Sequence, residues 1–244
     1  MGYKCRHIQC HVDKQLTKRK VLSYINSVFD MHGWAAPLMV TAKLIFSEIC
    51  KNSYQWDEKL PEKVATKWGK WQRALTGHCT VTVPRSITTR SNTRIHLHGF
   101  ADANKHAVCA AIYVVELHGG EPISQNLLVA KSRITPTASI PRLELIAAQT
   151  HAKLQTKVIK ALDNPRITDF HHLSDSTTVI YWLADKGTWS IFVRSYTNKI
   201  NELSYGRWRY VPTADNPDDL GTRTIIPTKL VNLWLKGPCS KVIC

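Results

Sequence analysis

The stretch RIHLHGFADANKHAVCAAIYVVELH, residues 94–118, decides the fold class. Its first part, residues 94–100, alternates polar and apolar side chains as a half-buried strand does. Residues 107–115 then form a continuous apolar run, and residues 126–132 form a third strand-like segment. Three successive strands joined by short polar connections predict the antiparallel beginning of a sheet.

After residue 139 helices and strands begin to alternate. Apolar residues recur at helical spacing from Ser139 to about Leu162, and Pro141 is tolerated in the first turn of that helix. The elements expected next are a strand at 170–174, helices at 177–184 and 190–203, a strand at 208–212 and a short helix near Asp218. Antiparallel strands followed by such alternation make a mixed sheet with helices on its faces, an α/β (α+β) fold.

The first part of the chain is predicted to be helical. Residues 17–50 are expected to form two helices, the first capped at its C-terminus by Gly33 and the second opened by a proline. A third helix is expected over residues 62–75, and its Trp68 and Trp71 share one face. Packing in the core accounts for these two indoles better than stacking on a base.

These elements divide the chain into four predicted segments. They are a flexible N-terminus at 1–16, a helical domain at 17–90 that includes strand-like residues 80–84, a sheet domain at 94–225 and a tail at 226–244. The longest apolar run is far shorter than the ~20 residues of a membrane helix, and the polar N-terminus is unlike a signal peptide. We therefore expect no membrane partner.

The charge of the chain favours a polyanionic partner. Lys and Arg number 33 against 18 Asp and Glu, a net charge of +15. Residues 1–95 carry 16 basic and 6 acidic side chains, whereas residues 96–244 carry 17 and 12. Nucleic acid is the polyanion that such an excess most often attracts, and the first segment is the more basic part. Seven cysteines at irregular spacing are typical of reduced thiols in an intracellular protein.

Four acidic residues lie where predicted elements begin or end. Asp102 and Asp175 each end a strand, Glu144 lies in the first turn of the long helix, and Asp219 lies in the last short helix. Each alone could be a helix cap or a partner of the helix dipole. Together they can hold hard cations such as Mg²⁺, and two ions about 3.5–4 Å apart can clamp both oxygens of an in-line phosphoryl displacement.

Several stretches resemble one retroelement family, the Pol polyprotein of BEL/Pao long-terminal-repeat retrotransposons. They are TKRKVLSYINSVFDMHGWAAP (17–37), WDEKLP (56–61), HGFADANKHA (98–107), LVAKSRITP (128–136), SIPRLELIAAQ (139–149), LSDSTTVIYWL (173–183), WRYVP (208–212) and NPDDLGTR (216–223). The resemblance covers residues 17–225. It implies a ribonuclease H-like mixed five-stranded sheet with flanking helices, preceded by a small mainly helical domain from the end of a reverse transcriptase.

The resemblance also implies an activity, cleavage of the RNA strand of RNA–DNA hybrids with two Mg²⁺, for which Mn²⁺ could substitute. Asp102, Glu144, Asp175 and Asp219 fall on the family's metal-binding acids, and Asp218 replaces a small residue of the family pattern. The remainder of a Pol polyprotein would be a further partner. The expected location is a cytoplasmic retroelement particle, or the nucleus.

Three basic residues are candidates for holding the phosphates of the substrate. Lys131 and Arg133 follow the third strand, and Arg142 lies beside Glu144. Ordinary solvated strand and helix ends would explain the same residues equally well.

The sequence departs from the family pattern in two further places. Asp30-Met31-His32-Gly33 replaces Asp-Pro-Leu-Gly, and Tyr210 replaces a histidine. No Tyr-X-Asp-Asp motif occurs in the chain, so we do not expect it to polymerise DNA by itself. A catalytically silent nucleic-acid-binding remnant remains the alternative to a nuclease. An integrase-type nuclease is disfavoured, because its acids run Asp, Asp, Glu and the glutamate here comes second.

Overall fold

The computed structural model describes residues 3–4, 15–76, 80–81, 86–88, 91–184, 187–204, 206–223 and 232–238. Its strands are β1 (Tyr3–Lys4), β2 (Thr80–Val81), β3 (Arg94–Ala103), β4 (Ala107–His118), β5 (Glu121–Ile134), β6 (Ile167–Ser174) and β7 (Trp208–Tyr210). Its α-helices are α1 (Lys18–Ser27), α2 (Ala36–Lys51), α3 (Glu62–Thr76), α4 (Ile140–Leu162), α5 (Thr177–Leu183), α6 (Ile191–Leu203), α7 (Asp218–Thr222) and α8 (Leu233–Lys236).

The five strands from β3 to β7 form one mixed sheet in the order β5-β4-β3-β6-β7. β4 runs antiparallel to both β3 and β5, whereas β6 is parallel to both β3 and β7. This topology confirms the expected mixed five-stranded sheet. The short pair of β1 and β2 is separate, and residues 82–84 of the predicted strand at 80–84 lie outside the described residues.

The long helix α4 covers one face of the sheet. Side chains at odd positions of β3, such as Ala101 and Ala103, pack against Leu143 and Ala147 of α4. Two backbone features fix the ends of this helix: Pro141 lies in its first turn, and Asp163 adopts a left-handed conformation (φ 39°) at its C-cap. The helix thus starts at the edge of the sheet where β3 ends, which carries its first turn to the candidate site.

The helices α1 to α3 belong to the same hydrophobic core as the other face of the sheet. Trp68 and Trp71 are 3% and 7% exposed, and the Trp71 indole donates to the carbonyl of Leu38 at 2.9 Å. The predicted core packing of the two tryptophans is therefore confirmed. Their cluster continues into the sheet through Phe100 and Tyr113. The predicted helical and sheet domains thus share one core.

The turn between α1 and α2 corrects one prediction. Helix α1 already ends at Ser27, so Gly33 is not its C-terminal cap. The Asp30 carboxylate instead closes the turn by accepting from the backbone N–H groups of Trp34 and Ala35 at 2.9 and 2.8 Å. Gly33 has φ +72°, and a Cβ there would overlap the carbonyl oxygen of Ala130. Glycine is needed because this turn lies directly against β5.

The segment at 232–238 also belongs to the fold, although its sequence is weakly patterned. The Trp234 side chain is fully buried, and its indole donates to the carbonyl of Trp34 at 2.7 Å. Tyr113 of β4 donates its hydroxyl to the Trp234 carbonyl, also at 2.7 Å. Helix α8 therefore joins the helical segment to the sheet. Within the described ranges, we find no helix with both the length and the apolar character to cross a bilayer.

Candidate active site

The sheet brings two of the four predicted acids to the same edge. β3 and β6 are parallel neighbours, and their register pairs Ala101 with Ser174. The residues that follow this pair are Asp102 and Asp175. Because parallel strands end at the same edge of a sheet, the two carboxylates converge there.

The other two acids reach this edge from helices. Glu144 is held by the packing of its neighbour Leu143 against β3, and the charge of Asp175 acts on it. Asp219 lies on α7, which packs against β3 and β4, and its charge acts on Asp102. The structure thus brings all four predicted acids together.

Each of the four carboxylates has a polar neighbour that holds one of its oxygens. Thr222 donates to Asp102 at 2.7 Å, and Ser176 donates to Glu144 at 2.5 Å. The side-chain amide of Asn216 donates to Asp175 at 3.2 Å, and Arg223 forms an ion pair with Asp219 at 2.6 Å. Such contacts reduce the rotational freedom of the acids and preorganise them.

Sequence reasoning missed these four holding residues. They are Thr222, Ser176, Asn216 and Arg223. A local signal was present, since each lies within four residues of a predicted acid and inside one of the stretches that carry the family resemblance. Which acid each one would contact could not be read from the sequence, because Thr222 bonds across to β3.

Burial, with repulsion from neighbouring carboxylates, raises the pKa of three of these acids, Asp102, Glu144 and Asp219. Burial is the main cause that raises the pKa of Asp102 to about 6. The Thr222 hydrogen bond lowers this pKa, whereas the charges of Asp175 and Asp219 raise it further. Burial likewise raises the pKa of Glu144 and of Asp219. A cation bound between such carboxylates would remove both the repulsion and the cost of burying charge.

Asp218 and its neighbour Asp219 occupy different environments. The Asp218 side chain is fully buried and accepts a hydrogen bond from the backbone N–H of Ala111 at 3.0 Å. Burial raises its pKa well above the usual range. Asp219 is partly exposed at the site. Adjacent helical residues point about 100° apart, which explains why only one of them faces the open edge.

The predicted phosphate-binding residues do not join this cluster. Lys131 and Arg133 are exposed on β5, two strands from Asp102, and Arg133 lies 3.5 Å from the Thr150 hydroxyl of α4. Arg142 lies about 200° round the helix from Glu144, and its guanidinium lies 5.0 Å from the ring centroid of Phe192. All three basic side chains lie outside the cluster of acids, on the solvent-exposed surface around the site.

The sheet order and the acids at its edge define a ribonuclease H-like domain. Residues 17–176 match the family model described as the Pao retrotransposon-like RNaseH-like domain. Because the match covers more than half of the chain, the protein belongs to that family. The match begins at residue 17, so it includes the helical segment as well as most of the sheet.

Solved structures give weaker likenesses. RNase H1 from the archaeon Halobacterium salinarum is 17% identical over 51% of this chain and 90% of its own, with a TM-score of 0.34. LC11-RNase H1 in complex with an RNA/DNA hybrid is 13% identical over 56% and 99% of the two chains, with a TM-score of 0.37.

A foamy viral protease-reverse transcriptase in complex with double-stranded DNA is 13% identical over 83% of this chain and 33% of its own, with a TM-score of 0.48. All three TM-scores are below 0.5, so the assignment depends on the family match and the sheet topology. No curated protein matches the chain.

Proposed function

We propose that this chain is a metal-dependent endonuclease that cleaves the RNA strand of RNA–DNA hybrids. The observation that carries the proposal is the convergence of Asp102, Glu144, Asp175 and Asp219 at one edge of a ribonuclease H-like sheet. Family membership supports the reaction class, and the net charge of +15 supports a polyanionic substrate.

The four acids fit a pair of Mg²⁺ or Mn²⁺ ions. All are hard oxygen donors, and the pKa of Asp102 is raised partly by the charges of its neighbours. We assign Asp102, Glu144, Asp175 and Asp219 as the ligands. When bound, the ions would activate water and neutralise charge developing on the scissile phosphate.

The protein's own contribution is to hold the carboxylates ready. Thr222, Ser176 and Asn216 each direct one oxygen of an acid through a hydrogen bond. The ion pair with Arg223 places a positive charge beside Asp219, which favours its ionised form. Preorganised ligands of this kind lower the cost of assembling the site when substrate arrives.

Backbone shape would serve as the recognition signal for the hybrid. Cleavage without sequence preference needs contacts with phosphates and 2′-hydroxyls rather than with base edges. The exposed Lys131, Arg133 and Arg142 are our candidates for phosphate contacts at the border of the site. The remainder of a Pol polyprotein would supply polymerisation, since no polymerase motif occurs in these 244 residues.

The decisive experiment is cleavage of an end-labelled RNA–DNA hybrid by the purified full chain. We expect cleavage of the RNA strand in Mg²⁺ or Mn²⁺, none in EDTA, and none by Asp175→Asn. Asp163→Asn is the matched control, because this residue caps α4 in a left-handed conformation that asparagine also tolerates. A chain that binds the hybrid but never cuts it would instead be the silent remnant.

A further inference from the structure

Three histidines lie together on the sheet face that also carries Asp102. His96 and His98 are two residues apart on β3, so they point to the same side of the strand. The register of the parallel pair places His171 of β6 directly beside His98. Three imidazoles, two from β3 and one from the neighbouring strand β6, therefore form one cluster.

The rings are close enough to share a ligand. The centroid of the His98 ring lies 4.6 Å from that of His171 and 6.3 Å from that of His96. One nitrogen from each ring lies within 4.8 Å of the others. His98 is 3% exposed and His171 is 9% exposed, while His96 lies partly open to solvent and leaves a path of entry.

Two buried nitrogens of the cluster lack a hydrogen-bond partner within the part of the chain that the structure describes. They are Nδ1 of His98 and Nε2 of His171. A buried polar atom without a partner is costly, and a bound metal ion would satisfy it. Burial also lowers the pKa of all three imidazoles, that of His98 to about 3, and the neutral ring is the form that binds metals.

We propose that His96, His98 and His171 form a Zn²⁺ site with three protein ligands and one open position. Imidazole nitrogen is a preferred ligand of Zn²⁺, at about 2.0–2.1 Å in a tetrahedral arrangement. Such bonds put the nitrogens about 3.4 Å apart. Side-chain rotations that bring the nitrogens closer by up to about 1.4 Å would meet that requirement.

One carboxylate and two guanidinium groups act on the cluster. The Asp169 carboxylate lies 3.4 Å from Nε2 of His171, outside hydrogen-bond geometry, and favours a cation. Arg209 on β7 opposes positive charge at His98 and His171, and Arg94 on β3 opposes it at His96. A dication held by three neutral imidazoles is therefore attracted by Asp169 and repelled by Arg209 and Arg94, so its affinity must come from the bonds to the nitrogens.

The zinc site would be separate from the carboxylate edge. His98 precedes Asp102 by four residues, which is about 13 Å along a strand. The metal would join β3 to β6, the two strands whose ends carry Asp102 and Asp175. Its expected role is to fix the relative position of these strands, so it would stabilise the fold even without nucleic acid.

The test is titration of Zn²⁺ into the EDTA-stripped full chain at neutral pH, with Mg²⁺ present in excess to occupy the carboxylates. We expect wild type to bind one more equivalent of Zn²⁺ than His96→Gln or His98→Gln. Zinc should also raise the melting temperature of wild type more than that of either variant. His106→Gln, which changes an exposed histidine, is the matched control and should behave as wild type.

Equal zinc binding by wild type and His96→Gln would overturn the proposal, as would failure of wild type to bind. His96 is only partly buried, so this variant tests the site even where His98→Gln fails to fold. Loss of the same equivalent in Asp102→Asn, with retention in His96→Gln, would place the zinc at the carboxylates and equally refute the assignment.

Discussion

Replacing Asp102 by asparagine removes the charge of this residue and keeps its shape. The side chain is 8% exposed, and the hydrogen bond from Thr222 can be made to an amide oxygen as well as to a carboxylate. The variant therefore isolates the cost of the buried negative charge. Without metal it should be at least as stable as wild type at neutral pH, and with Mg²⁺ it should not cleave hybrid.

The magnitude follows from the pKa. Burial and two neighbouring acids raise the pKa of Asp102 from 3.8 to about 6. At about 1.4 kcal/mol for each pKa unit, the ionised side chain costs the metal-free fold up to about 3 kcal/mol. Because this pKa is raised, the folded state keeps the Asp102 proton up to a higher pH than the unfolded state does. The free energy of unfolding therefore falls as the pH rises from about 4 to about 6, and then levels off.

Urea unfolding in EDTA measures this cost. At pH 4 the two proteins should be similarly stable, and at pH 7 the Asp102→Asn variant should be more stable by up to about 3 kcal/mol. Adding Mg²⁺ should stabilise wild type more than the variant. A variant that is less stable by the same amount at both pH values would show that no charge is repelled there. Full cleavage activity would refute its role as a ligand.

Two further predictions concern the fourth acid and the basic segment. Asp219→Asn should raise the Mg²⁺ concentration needed for cleavage. Asp218 is fully buried beneath the site, so Asp218→Asn should leave that concentration nearly unchanged. The reverse order in Mg²⁺ titrations would contradict our choice of Asp219 as the ligand. Replacing the exposed Lys63 and Lys70 of α3 by glutamine should make hybrid affinity less dependent on salt, by about 0.9 in log–log slope for each phosphate that the variant no longer neutralises. Lys160→Gln on α4 is the control, and identical slopes for all three proteins would mean that α3 does not touch the substrate.

Substitutions of single charges are preferable to deletion of residues 1–90. Helices α1 to α3 bury Trp68 and Trp71 in a core that continues to Phe100 and Tyr113 of the sheet. Removing the helices would expose that apolar surface to water, at roughly 25 cal/mol for each Å². A deletion would therefore test folding rather than contact with nucleic acid.

The sequence by itself predicted the element order and proposed the four acids of the candidate site. Alternation over residues 94–100 and helical spacing after Ser139 are local signals, because each depends on which face of one element is buried. Asp102 lies at the end of β3 and Asp175 directly follows β6, and parallel strands must end at the same edge. The order Asp, Glu, Asp, Asp along these elements therefore supported the ribonuclease H-like interpretation.

Only the tertiary structure decided what depends on neighbours distant in the chain. Gly33 is needed because Ala130 lies against it, and no local pattern of a helix end contains that contact. Thr222 reaches Asp102 across 120 residues of sequence. His171 lies beside His98 through the register of β6 on β3, which local patterning does not set. Spacing within an element is fixed by backbone geometry, whereas contacts between elements are fixed by how the whole core packs.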